Sequence, residues 1–385
     1  MPPHGERYDV IILGTGITGL STVYHLRQAG VQSIAIASAN ERTARISSST
    51  PGLIFGTPMD NITRTSHRHG IGVAKDLWHF SATAFECLMS YCASHSIGHS
   101  MGRRLRLITS LPETSEAKLA IKQINDCGIQ VAMKSPPLGS TSKVLAAQDE
   151  GEFGAVVALP ELLANLEAHS SNTPQLPKIK ELVSDGRGPV TLIAEDNRHY
   201  TCEIVVLACH TDISRLLPEL SPAIVTTGDQ WCQIEFTRAV PAEFRNLIFT
   251  WNHGNVWGGF NTPKSARIGG AKYLRPLEGM EAKVASVIPK INAHLLDQLT
   301  ANFSFIEAPQ ITESIAGLDI RPCDELPIVG PMYGNGRMLV ACGYMGTGLS
   351  WGFLAGKCLA DLIASGHAKD LARSLWPERL RSLES

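Results

Sequence analysis

Gly14, Gly16 and Gly19 stand at G-x-G-x-x-G spacing directly behind the apolar run Tyr8 to Leu13. Glycines so spaced suit the binding of phosphate: Gly14 permits a tight turn, Gly16 lets a pyrophosphate approach the backbone, and Gly19 lets a helix lie close on a sheet. The helix start, headed by Ile17 and Thr18, then offers unpaired N–H groups and a positive dipole end to the phosphates. Glycine-rich turns without ligands are common, so the flanking elements must carry the reading. Tyr8 to Leu13 reads as a fully buried parallel strand, Ile17, Leu20, Val23, Tyr24 and Leu26 fall at helical spacing up to Gly30, and Ser33 to Ala37 reads as a second strand. A dinucleotide site is predicted.

No carboxylate stands at the end of the second strand, where one would grip the adenosine ribose. Ser38 could bond a ribose hydroxyl, with Asn40 or Glu41 in reach, whereas Arg42 and Arg45 could meet the 2′-phosphate of NADP. The cofactor has to be decided elsewhere. At the far end, LVACGYMGTGLSW places Gly343, Gly346, Thr347 and Gly348 between a buried strand and a helix carrying Leu349, Phe353, Leu354, Cys358, Leu359 and Leu362. One reading is a loop whose glycines serve only packing, as Gly352 and Gly356 do; the other is a second helix start whose N–H groups face a ligand. Two nucleotide-facing turns fit a flavin better than NAD.

The chain around these motifs has 385 residues, enough for about two domains. Its 44% hydrophobic and 18% charged residues suit a soluble globular protein, and a net charge of −2 gives no support for a nucleic-acid or anionic-membrane partner. The basic cluster Arg103, Arg104 and Arg106 reads as a strand edge rather than a phosphate track. Nine cysteines without a C-x-x-C pair read as reduced thiols, which makes the cytoplasm the expected location. The stretch Val10 to Leu20 is too short and glycine-rich to span a bilayer, and the terminal SLES differs from the peroxisomal S-K-L address.

Along the chain, residues 45–56 read as a loop, 67–97 as a helix, RRLRLITS as a strand, Glu113 to Asp126 as a helix and Pro160 to His169 as a short helix. KIKELV, VTLIAE and EIVVLACH read as strands, 225–270 as an antiparallel sheet and 281–301 as a helix. His67 with His69, an H-x-H on a helix, puts its rings on different faces, and no metal is expected.

Four ordered signals, GTGITGL, SSSTPGLI, AGLDIRPCDELPIVGP and GYMGTGLSWGFLAGKCLADLI, resemble the D-amino acid oxidase and glycine/sarcosine oxidase superfamily of FAD-dependent enzymes. With the weaker matches ALPELLANLEAH, IVVLACH and VTTGDQWCQIEF the resemblance covers nearly the whole chain. It implies an α/β fold: a Rossmann-like FAD-binding domain (1–85, 150–220 and 310–385) with a discontinuous α+β substrate domain built on an antiparallel sheet (86–149 and 221–309). It further implies that Ser47, Ser48, Ser49, Thr50, Gly52 and Leu53 lie along the pyrophosphate and flavin, and that Val183 falls on the adenine-contacting strand. An ordinary solvated turn is the plain alternative for the serine run.

In relatives the arginine of G-L-R-P holds the substrate carboxylate. Here AGLDIRP keeps Arg321 before Pro322 but sets it further from Gly317, and a structural arginine paired with Asp324 or Glu325 is the alternative. The resemblance puts Trp257 and Phe260 on a strand lining the pocket, against which stands simple sheet packing. It puts Arg267 near the place where the sarcosine oxidase branch has a lysine beside the flavin that promotes reaction with oxygen, although solvation of Arg267 and Lys264 is the plainer expectation. Cys323 lies out of place for that branch's covalent attachment, so noncovalent FAD is expected. The implied activity is oxidation of a C–N bond in an amino acid or amino-acid-derived amine to an imine, with oxygen as acceptor. An NADP-dependent dehydrogenase and a flavin-binding protein without amine oxidase activity are the alternatives.

Overall fold

The computed structural model describes residues 6–38, 46–275 and 285–384. Two compact units are formed, Met1–Ser48 with Pro160–Thr226 and Asp319–Ser385, and Ser49–Leu159 with Thr227–Leu318. The sequence places the first break at residue 85; the chain leaves the first unit after Ser48 instead, because the segment that follows pairs and packs within the second unit.

With elements numbered in chain order, the first unit is built on eight strands. These are β1 (Glu6–Leu13), β2 (Ile34–Ala37), β9 (Gln175–Leu176), β10 (Ile179–Val183), β11 (Val190–Ala194), β12 (His199–Leu207), β18 (Ile328–Met332) and β19 (Asn335–Cys342). The order is β10-β11-β12-β1-β2-β9, with β19 beside the end of β12 and β18 beside β19. β12, β1, β2, β9 and β19 run parallel. Residues 10–13, 34–37 and 205–207 are buried without alternation, as expected of strands covered on both faces. The helices are α1 (Ile17–Gln28), α4 (Leu159–His169, which begins one residue before the boundary), α5 (Ile213–Leu216) and α7 (Gly348–Ser365).

His25 on α1 lies edge-on to Phe353 of α7 at 5.3 Å between ring centroids, with its Nδ1–H donated to the Ser21 carbonyl at 2.8 Å. Burial, reinforced by Lys357 and opposed by the Ser21 bond and Asp361, brings its pKa down from 6.5 to about 4. A depressed native value means that the unfolded chain takes up the proton first. The stability is therefore complete above pH 6.5 and is lost as the pH falls toward 4, by about 3 kcal/mol in all. Urea unfolding at pH 7.5 and pH 4 should show that decline, and His25→Gln should flatten it; an unchanged decline in the variant would exclude this histidine as its source.

The second unit holds an eight-stranded sheet. Its strands are β5 (Arg104–Ile108), β6 (Ala132–Lys134), β7 (Ala146–Asp149), β13 (Ile224–Glu235), β14 (Ile248–Trp251), β15 (Val256–Thr262), β16 (Ser265–Gly270) and β17 (Gln310–Pro322), in the order β17-β13-β16-β15-β14-β5-β7-β6, with residues 224–226 of β13 and 319–322 of β17 belonging to the first unit. β3 (Leu53–Phe55), β8 (Gly154–Val157) and β4 (His99–Gly102) form a small sheet with β8 in the middle. The helices are α2 (Ile62–Ser94), α3 (Leu111–Asn125) and α6 (Pro289–Asn302). α2 starts five residues before the helix read from sequence because the Asn61 side chain caps it by accepting the Ile62 N–H, and it breaks at Gly70, whose φ is 82°. Of the helix read over 281–301, residues 281–284 lie outside the described residues.

The large sheet has two unlike faces. One carries Cys232, Ile234, Phe249, Trp251, Ile268 and Phe260, all buried in a core shared with Ile291, Leu295 and Leu299 of α6. On the other, the register aligns two cross-strand rows: Trp231, Gly269, Trp257, Thr250, Arg106 and Gln148, and beside it Gln233, Arg267, Gly259, Ile248 and Arg104. The basic cluster is therefore not at a strand edge of the sheet, since β5 lies between β14 and β7. Arg104 is fully buried, its Nε 3.5 Å from the buried Glu150, which also pairs with Arg106; Arg103 pairs with Asp149. Arg104 also stacks over Phe55, with Cζ 4.8 Å from the ring centroid.

Candidate cofactor and substrate sites

In the first unit the parallel strands all end on one edge, and the motifs found separately in sequence follow those ends. Gly14 follows β1, Ser38 follows β2, Ala208 to His210 follow β12, and Gly343 follows β19. The crevice at the carboxyl ends of such a sheet is where ligands bind. Gly14 has φ 123°, and a Cβ there would lie 2.2 Å from the Ala208 carbonyl oxygen; a Cβ on Gly19 would lie 1.8 Å from the Gly14 oxygen. The turn and the close helix packing thus both require glycine. Gly16 caps α1, and Ser47 stands at the same helix start, its Oγ accepting the Ile17 N–H at 3.0 Å.

α7 lies alongside α1. A Cβ on Gly352 would meet Thr18 Oγ1 at 2.7 Å, one on Gly356 would meet the Thr18 carbonyl oxygen at 2.6 Å, and Ser21 Oγ donates to the Phe353 oxygen at 2.7 Å. Gly352 faces Ile17 and Thr18 while Gly356, one turn on, faces Thr18 and Ser21, and both helices follow parallel strands, so their N-terminal ends lie on the same edge of the sheet. Tyr344, in the loop before α7, completes the junction with a 2.9 Å bond between its hydroxyl and that of Thr18. Burial pushes the Tyr344 phenol far above its ordinary pKa, which keeps it neutral. Gly343 and Gly346 have φ of 75° and 91°, and Thr347, donating its N–H to the Tyr344 oxygen at 2.9 Å, leads into Gly348 and the buried Leu349. Two positive helix ends therefore converge from opposite ends of the polypeptide, an arrangement that favours anionic groups.

Val183 is 48% exposed on β10, separated from β1 by β11 and β12. The strand beside the end of β2 is β9, whose Leu176 pairs with Ala37 next to Ser38. This two-residue strand was missed because Pro174 and Pro177 flank it and leave no alternation to read. Asn40, Glu41, Arg42 and Arg45 lie outside the described residues.

Arg321 is half-buried near the end of β17. Of the two carboxylates named as structural partners, Asp324 pairs with Arg379, at 2.6 Å from Nε and 3.2 Å from Nη2. Cys323 is exposed.

In the second unit the loop holding Ser49, Thr50, Gly52 and Leu53 is tied to the polar face of the large sheet. Trp231 Nε1 donates to the Ser49 oxygen at 2.8 Å, Arg267 Nη1 donates to the Pro51 oxygen, and Leu53 pairs with Val156. Arg267 also donates from Nε to Gln233 at 2.9 Å, and its Cζ lies 5.8 Å from the centroid of the Trp231 ring. The arginine expected to be solvated is thus held on the face, while Lys264 is exposed. Burial lowers the Arg267 pKa and Glu313 opposes that. Trp257 shares this face and meets Phe55 edge-on at 6.1 Å, whereas Phe260 belongs to the opposite, apolar face. Trp231 and Gln233 share the polar face as well, and their alternation in DQWCQIEF is the sequence signal for it.

A family model described as DAO, FAD dependent oxidoreductase, matches residues 9–362. Among solved structures the chain is similar to L-proline dehydrogenase from P. horikoshii, at TM-score 0.80 and 14% identity, covering 98% of this chain and 99% of that one. Glycine oxidase from Geobacillus kaustophilus is similar at TM-score 0.77 and 15% identity, covering 96% and 98%. Iminodiacetate oxidase from Chelativorans sp. BNC1 follows at 0.75 and 17%, covering 96% and 98%. No curated protein matches by sequence.

Proposed function

The chain belongs to the DAO family of FAD-dependent oxidoreductases, and on that premise we propose that it binds FAD noncovalently and oxidises a C–N bond of an amino acid or amino-acid-derived amine, with oxygen as acceptor. The observation that carries the reading is the convergence of the α1 and α7 N-termini beside the Gly14 turn. Ser38 and the Ser47 hydroxyl suit ribose and phosphate oxygens. The exposed position of Cys323 and its raised pKa, caused by desolvation first and then by Asp324, disfavour a thiolate and support noncovalent attachment.

Bound FAD supplies the two-electron chemistry. The protein's share is to position the amine. Arg321 offers a planar, two-pronged contact to a carboxylate and so fixes both place and orientation. Trp257 and Trp231 stand on the polar face of the large sheet with Arg267 beside Trp231; on the family resemblance, the two rings would exclude water and the guanidinium would supply positive charge. An amine arriving neutral needs no further base. Two electrons and two protons leave the C–N unit as it becomes an imine, and oxygen receiving them becomes hydrogen peroxide.

The test is to mix the holoprotein anaerobically with a panel of amino acids and secondary amines and follow the yellow flavin absorbance. Bleaching by at least one carboxylate-bearing amine is expected. A flavin left oxidised by every amine would favour a flavin-binding protein without amine oxidase activity.

A further inference from the structure

His210 is the first residue beyond the Ala208–Cys209 segment that abuts the Gly14 turn: a Cβ on Gly14 would lie 2.2 Å from the Ala208 oxygen and 3.1 Å from the Cys209 nitrogen. It therefore stands at the carboxyl edge of the parallel sheet. Its φ is 51°, in the left-handed region that favours glycine. Its Nδ1 is sealed from solvent and has no hydrogen-bond partner among the described residues. A backbone in the left-handed region and a buried nitrogen without a hydrogen-bond partner are two separate costs at one residue. Desolvation lowers the pKa of the ring, with Asp319 on β17 and Asp212 opposing, so the imidazole is held neutral. A neutral ring keeps one N–H to donate without bringing a full charge into the crevice.

We propose that His210 is a cofactor-binding residue whose Nδ1–H donates to an oxygen of the bound dinucleotide, on its pyrophosphate or the adjoining sugar. The assignment rests on the FAD reading above and adds a side-chain contact to the glycine turn and the two helix ends. The left-handed backbone aims the ring at the ligand, and the ligand supplies the missing partner.

The test compares the wild type, His210→Gly and His210→Asn, each stripped of flavin and titrated with FAD and with ADP while protein fluorescence is followed; the melting temperature of each flavin-free protein is recorded alongside. Glycine relieves the backbone, so His210→Gly should melt no lower than wild type yet bind FAD about tenfold more weakly, the loss of one buried hydrogen bond. Asparagine tolerates the left-handed region and carries an amide close to the position of Nδ1, so His210→Asn should bind within about threefold of wild type. An equal loss for ADP assigns the contact to the pyrophosphate or the adenosine side; ADP binding unchanged while FAD weakens assigns it to the ribityl side. FAD affinity within twofold of wild type in His210→Gly, a lower melting temperature in that variant, or no recovery by His210→Asn would overturn the inference while leaving the FAD reading intact. A wild type that binds no FAD would overturn both.

Discussion

Gly19→Val should give a folded protein with no bound flavin. Valine's Cβ would have to occupy space 1.8 Å from the Gly14 oxygen and 2.9 Å from the Gly14 carbonyl carbon, which are backbone atoms that cannot swing aside. The helix must move off the sheet or the turn must open, and either displaces the N–H groups that meet the pyrophosphate. A loss of about 4 kcal/mol, or roughly a thousandfold in affinity, is the expected scale. Gly16→Ala is the milder companion. Its methyl group would stand 3.1 Å from Ser47 Oγ without any backbone strain, and about a tenfold loss is expected. The flavin-to-protein ratio after purification, read with circular dichroism as a check of folding, measures both. A full complement of flavin in Gly19→Val would remove the glycine turn from the site.

Arg321→Leu should retain its flavin and lose about a thousandfold in kcat/KM toward a carboxylate-bearing amine, because a two-pronged charge-assisted contact fixes both position and orientation. The scale corresponds to about 4 kcal/mol. Arg321→Lys should recover only part of the loss, since an ammonium is a point charge without the planar fork. An amine lacking the carboxylate should be turned over equally by wild type and variant. Unchanged kcat/KM in Arg321→Leu would remove this arginine from the carboxylate contact.

How far the sequence carries can be judged element by element. The two strand-turn-helix passages were legible because each combines an uninterrupted apolar strand, glycines and helical periodicity, and local rules suffice for all three. Gly352 and Gly356 were legible as packing residues, and the structure sets both against α1. The small sheet of β3, β8 and β4 was not: its strands are three or four residues long, and the run before β3 has the composition of a loop. The buried cluster of Arg104, Arg106 and Glu150 was equally hidden, since a charge becomes a core residue only through a partner far along the chain. Trp257 and Phe260 were indistinguishable on β15 until the register fixed which face each occupies. The short strand β9, which ends beside Ser38, is announced by no pattern of its own.

The account stands on one molecule of flavin being held where α1 and α7 begin. The most direct measurement is the absorbance spectrum of the purified protein after incubation with excess FAD and removal of the unbound fraction, followed by acid precipitation. One FAD per chain, with the colour passing into the supernatant, is the expected result; a colourless protein would contradict the account.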